Sequence, residues 1–91
     1  MFNKLKQFKD MRSQAKDLQS KLAQEHVTEE SNGVEVKLNG NLEIESIKIN
    51  TELEKDYLER TIKDLTNKAI KKAQKIMAKK MQEMGGIPGL S

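Results

Sequence analysis

The chain has 91 residues, which bounds it to one domain, and only 35% of them are hydrophobic, against the roughly 45–50% of an ordinary globular protein. There is no cysteine, so disulfide frameworks and thiolate chemistry are excluded; no apolar run approaches the roughly 18 residues of a membrane span, and the start has no secretory h-region. Net charge is +3, yet it is distributed as +4 over residues 1–24, −6 over 25–56 and +5 over 57–91, a basic head and tail around an acidic middle.

The first segment has a helical period. Phe8, Met11, Ala15, Leu18 and Leu22 fall within an arc of about 80°, a narrow seam of the coiled-coil kind. Lys9, Arg12 and Lys16 form a basic stripe beside it. Without Pro or Gly, the helix is expected to run from near residue 2 to about Gln24.

The middle changes to a period of two. His26 to Ser31 reads as a weak strand, and Val34, Val36 and Leu38 alternate with Glu35, Lys37 and Asn39 as a half-buried one. Asn32-Gly33 and Asn39-Gly40 bracket the second strand, and both are hairpin dipeptides that tolerate positive φ. A third strand is expected from near Leu42 to Ile49. Its alternation slips between Ile44 and Ile47, which predicts a bulge near Glu45-Ser46. The result is a three-stranded antiparallel meander, and the fold class is α+β.

A long helix closes the chain. Thr51 is the expected N-cap, with Glu52 and Glu54 at the positive end of the dipole. Leu58, Ile62, Leu65, Ala69, Ala73 and Ile76 make its seam, and Gly85-Gly86 should stop it. From about Leu53 to Met84 it would measure about 45 Å, whereas a compact globule of this length is about 30 Å across. A helix that projects with an apolar seam needs a partner, and a second copy of the chain is the simplest one.

The stretch from Lys68 to Lys80 holds six lysines and no acid. Lys68, Lys71, Lys72, Lys75 and Lys79 share a stripe about 100° wide, away from the seam. Like charges at these spacings repel by a few tenths of a kcal/mol per pair. A solvated face and a face for a polyanion both account for such a stripe. A line of lysines suits the regular charge of a duplex backbone. With only Arg12 and Arg60 as arginines, phosphate contact with little base readout is expected. Three aromatic residues, Phe2, Phe8 and Tyr57, are too few for a single-strand stacking platform.

Other chemistry has little support. His26 is the lone histidine, and a metal site needs three or four convergent ligands, so no metal and no cofactor are expected. Glu43 and Glu45 would share one side of a strand without an apolar pocket to raise either pKa. No nucleotide-binding glycine motif is present. A non-enzyme without a small-molecule substrate is expected. Met77, Met81 and Met84 widen the apolar face of the last helix, for core or dimer packing, for a protein partner, or least of all for a membrane surface that would call for Trp or Phe.

The order of these parts carries a family resemblance. A helix, then Gly33-Val34-Glu35-Val36-Lys37-Leu38-Asn39-Gly40, then Ile47-Lys48-Ile49, and a long helix ending Gly85-Gly86-Ile87-Pro88-Gly89 resembles the YbaB/EbfC family of bacterial nucleoid-associated proteins. The likeness covers nearly the whole chain. It departs where relatives often have Ile-Asp-Pro, here Ile49-Asn50-Thr51, and Asn-Asp-Ala, here Lys71-Lys72-Ala73, which makes this helix more basic. The resemblance implies one domain over residues 1–84 and a flexible Gly/Pro tail over 85–91. It also implies a tweezer-like homodimer with strands joined across the dimer, double-stranded DNA as partner, and a cytoplasmic, nucleoid-associated location. The expected DNA contacts are Lys9, Arg12, Lys16, Lys68, Lys71, Lys72, Lys75 and Lys79. The expected dimer contacts are Leu42, Ile44, Ile47, Ile49, Ile76 and Met77. The rival reading is a protein–protein adaptor whose lysines serve only solubility.

Overall fold

A computed structural model describes residues 3–85, with side chains from residue 9 onward. Five elements follow in order: α1 (Asn3–Ala23), β1 (His26–Ser31), β2 (Val34–Asn39), β3 (Ile44–Ile49) and α2 (Lys55–Glu83). The strands form one antiparallel sheet in the order β1-β2-β3. The αβββα order expected from periodicity is therefore present. Phe2, the side chain of Phe8 and the tail from residue 86 lie outside the described residues.

The sheet has two unlike faces, and the register gives the reason. Residues directly opposite in a ladder share a face. Val27 pairs with Leu38, Glu29 with Val36 and Ser31 with Val34. Across the other edge of β2, Ile44 pairs with Leu38, Ile47 with Val36 and Ile49 with Val34. The register shifts beside Lys37 and Leu38, opposite Glu45. That bulge absorbs the slip in the alternation, so Ile44, Ile47 and Ile49 all join the face of Val34, Val36 and Leu38. The opposite face carries Thr28, Glu30, Glu35, Lys37, Ser46 and Lys48, which suits it to water.

α2 covers the apolar face. Thr61, Leu65, Ala69 and Ala73 are its buried residues, and Leu65, Ala69 and Ala73 join Val27, Val34, Val36 and Leu38 in one core cluster. The two alanines at the centre let the helix approach the strands closely. Thr61 resolves its burial by donating its hydroxyl to the Tyr57 carbonyl at 2.9 Å. α2 packs over β1 and β2, and the β3 part of the face stays open. Ile44, Ile47 and Ile49 are accordingly 52%, 42% and 46% exposed.

The turns follow different chemistry. Asn32 (φ 53°) and Gly33 (φ 80°) both take positive φ, the hairpin geometry their sequence predicts. A side chain on Gly33 would also meet Thr51 Cβ at 2.8 Å. Asn39-Gly40 acts otherwise. The residue with positive φ in the second turn is Leu42 (φ 65°), and β3 begins at Ile44 rather than near Leu42. Asn39 builds this turn from its side chain. Its Oδ1 accepts from the Asn41 and Glu43 amides at 2.9 and 3.1 Å, and its Nδ2 donates to Glu43 Oε1 at 2.9 Å. Glu43 thus belongs to the turn and does not share a strand face with Glu45. Leu42 tolerates its φ because its side chain packs against the core.

Gly40 serves contact. Its amide donates to the carbonyls of Leu22 and Glu25 at 2.9 and 3.0 Å, and an added Cβ would lie 2.6 Å from the Leu22 oxygen. The last turn of α1 rests on it. Helix α2 starts later than expected: its N-cap is Glu54, without a side-chain cap, and Thr51 lies four residues before the first helical turn. Its C-terminal end follows the glycine signal, with Gly85 at φ 80° donating to the Gln82 carbonyl.

The molecule is elongated, 63 × 19 × 19 Å, with a radius of gyration of 17.8 Å. A compact chain of this length would have about 12 Å. The cause is helix length: α2 alone has 29 residues, or about 43 Å. Among the described side chains of α1, only Leu22 is buried and Leu18 half-buried, while Met11 and Ala15 of the same seam are exposed.

Candidate nucleic-acid interface

The cationic side chains are placed by the same period that builds the core. The face of α2 bearing Leu65, Ala69 and Ala73 is fixed on the sheet, so residues on the far side must point outward. Lys68, Lys71, Lys75 and Lys79 are all exposed, and among the described residues none of them has an ion-pair partner. From Lys68 to Lys79 the line runs about 16 Å along the helix. Its first part is anchored by Leu65, Ala69 and Ala73, which are 0–3% exposed, whereas Ile76 and Met77 near Lys79 are half-buried.

Lys72 and Lys80 are arranged differently. Both meet acids from elsewhere in the chain, Glu29 of β1 and Glu25 just before it. Lys72 Nζ contacts Glu29 Oε1, whose side chain is only 15% exposed. Lys80 Nζ lies 3.3 Å from Glu25 and 3.6 Å from Glu83. Its hydrogen bond to Glu25, with the charges of Glu83 and Glu25, holds the Lys80 ammonium above the ordinary lysine pKa. The helix has no acid of its own between Lys68 and Lys80, but Glu29 of β1 meets Lys72 and Glu25, just before β1, meets Lys80. The six lysines therefore divide into four that face solvent and two that are paired.

Arg60 belongs to the solvent-facing line, and sequence reasoning passed over it. It stands about 20° from Lys71 on the helical wheel. It lines, with Lys68, Ser31, Asn32, Tyr57 and Asp64, a cleft of about 250 Å³. Its guanidinium lies 6.0 Å from the centre of the Tyr57 ring, and the Tyr57 hydroxyl accepts from Asn32 Nδ2 at 3.3 Å. The signal that could have found it was the wheel itself. Glu25 and Glu29 gave a weaker signal, because their pairing with α2 depends on the tertiary fold.

On α1, Lys9, Arg12 and Lys16 come together with Ser13 around a shallow depression. All three cations are exposed. The two basic helices approach one another near Leu18 and Leu22 of α1 and Met77 of α2, which line a groove of about 660 Å³ with Ala15, Gln19, Asn41 and Glu43. Of the remaining expected interface residues, Leu42 and Ile76 pack partly against the chain's own core.

His26 is exposed and pairs with Glu45, Nδ1 to Oε1 at 2.6 Å. Among the described residues, no three His, Cys, Asp or Glu side chains gather as a metal site would require, and no helix is long and apolar enough to cross a membrane.

The chain is 38% identical to a nucleoid-associated protein of Caldanaerobacter subterraneus subsp. tengcongensis, covering 97% of this chain and 87% of that one. It is 37% identical to nucleoid-associated proteins of Acinetobacter baumannii strains ATCC 17978 and AYE, covering 91% of this chain and 84% of each. No solved structure gives a significant match. The sequence profile of one family, described as the YbaB/EbfC DNA-binding family, matches residues 1–87. The chain belongs to the YbaB/EbfC DNA-binding family.

Proposed function

We propose that this protein is a nucleoid-associated homodimer that grips double-stranded DNA by its phosphates, using the outward lysines of α2 and the basic stripe of α1. The observation that carries this reading is the line Lys68, Lys71, Lys75 and Lys79, exposed and without ion-pair partners among the described residues. Four like charges on one rigid face repel each other in the free protein, and a polyanion relieves that repulsion. Lysines contact phosphate as mobile point charges and read bases poorly, so sequence preference is modest. Binding of this kind organises the chromosome by coverage.

A second copy fits the surfaces left over. The helix-side strip of Ile44, Ile47 and Ile49 is apolar and open. β3 is an edge strand, with no strand on its outer side among the described residues. An exposed apolar edge strand is a template for another strand. Pairing there would join the two sheets and set two pairs of basic helices on one frame, with Met77 and Ile76 near the junction of the helices.

Fluorescence anisotropy with two labelled duplexes of unrelated sequence tests the reading. Comparable affinity for both, weakening as salt rises, is the expected result. Failure to bind either at low salt removes the proposal in favour of a protein–protein adaptor, and strong preference for one duplex contradicts phosphate contact as the main term.

A further inference from the structure

Glu29 is an acid in an apolar place. Its register partner is Val36, and it shares the helix-side face with Val27. Its Oε1 is buried and, among the described residues, has no hydrogen-bond partner apart from the Lys72 ammonium. A carboxylate so placed is costly to leave alone, because burial of an unpaired charge is penalised heavily. Lys72 is therefore not a spare member of the stripe. It is held, while its own side chain remains 61% exposed and within reach of solvent.

We propose that Glu29 is an internal stand-in for a DNA phosphate, occupying Lys72 and so setting the affinity of the helix for the duplex. This inference rests on the DNA-binding reading above. A phosphate oxygen and a carboxylate oxygen offer the lysine the same kind of charge-assisted hydrogen bond. The carboxylate has the advantage of being already in place. Lys72 lies about 40° round the helix from Lys68, so an untied Lys72 would stand at the margin of the outward line. Glu29 thus acts as a positioning residue: it directs Lys72 toward the sheet, fixes α2 on β1, and reduces the number of cations free to release counterions. A moderate affinity of this origin would let a chromosome-coating protein exchange along DNA.

The salt slope of duplex binding reads this directly, because each lysine that gains a phosphate steepens log K against log salt by about 0.9. Glu29→Gln is expected to bind several-fold more tightly near ~0.1 M salt, with a slope steeper by about 0.9 for each Lys72 freed. Glu30→Gln removes the same charge from the opposite face of β1 and serves as the control. It should leave the slope unchanged. In a Lys72→Gln background the Glu29→Gln gain should vanish, and Lys72→Gln alone should keep the wild-type slope where Lys71→Gln makes it shallower.

An equal gain from Glu30→Gln would reduce the effect to net charge and overturn the proposal. So would a wild-type slope in Glu29→Gln, or a loss in Lys72→Gln as large as in Lys71→Gln. The Lys72→Gln and Lys71→Gln pair decides the matter even should Glu29→Gln fail to fold. Absence of wild-type binding would sink the DNA reading itself and this inference with it, whereas wild-type binding with an unchanged Glu29→Gln slope sinks the inference alone.

Discussion

Gly40 shows how much one residue can fix. It has no special φ, yet its missing side chain lets the Leu22 carbonyl approach and accept its amide hydrogen bond. Gly40→Ala should force the end of α1 off the β2–β3 turn and cost about 1–3 kcal/mol, as overpacked sites do; the midpoint of urea unfolding measures it. An unchanged midpoint would mean that α1 is not seated there. At the core, Leu38 is fully buried between β2's neighbours and α2, and Leu38→Ala should cost about 2–5 kcal/mol by the same measurement. Outward lysines behave oppositely. Lys75→Gln should leave stability nearly unchanged, since an exposed charge without a partner contributes little to folding, while duplex affinity falls.

Each element couples a legible period to a partner that the period cannot name. The β3 bulge was readable because Ile44 and Ile47 break the alternation. The uncovered state of those isoleucines was not, because it depends on how far α2 reaches across the sheet. The Asn32-Gly33 turn was legible from dipeptide chemistry, but Asn39 spends its side chain on Asn41 and Glu43 and transfers the positive φ to Leu42. Thr51 has the chemistry of a cap, yet the helix starts at Lys55. The lysine stripe was visible on the wheel, whereas the acids that divide it, Glu29 in β1 and Glu25 just before it, lie far away in sequence. Two predictions belong at this scale. Ile47→Lys puts a charge on the open strip, so it should halve the mass seen by light scattering and leave the single chain folded; a dimeric variant would place the interface elsewhere. The Lys80–Glu25 tie has a pH signature. The folded pKa of Lys80 lies above the ordinary value of 10.5, so its stabilisation is complete below that value and is lost as pH rises through the folded pKa. Wild type should therefore lose thermal stability above about pH 10.5 more steeply than Glu25→Gln, and parallel curves for the two would contradict the tie.

The whole molecule is a small sheet that serves as a mount for long helices. Its core is little more than one face of β1 and β2 under the middle of α2, and the elongation to 63 Å is helix. Charge follows the same division. Acids are concentrated in the middle of the chain, where Glu29 of β1 holds Lys72 and Glu25, just before β1, holds Lys80, and the exposed lysine line lies on α2. A duplex presents a charge about every 1.7 Å of its axis, so a 16 Å line of lysines can meet several phosphates without any base contact. We infer that this line is the grip. The most direct test is the salt dependence of duplex affinity for wild type beside a Lys68→Gln, Lys71→Gln, Lys75→Gln, Lys79→Gln variant that retains the wild-type fold and mass. Steep salt dependence is expected in the wild type, with a variant slope shallower by about 0.9 for each lysine that touched a phosphate. Equal slopes and equal affinities would contradict it and leave the stripe as a solvated face.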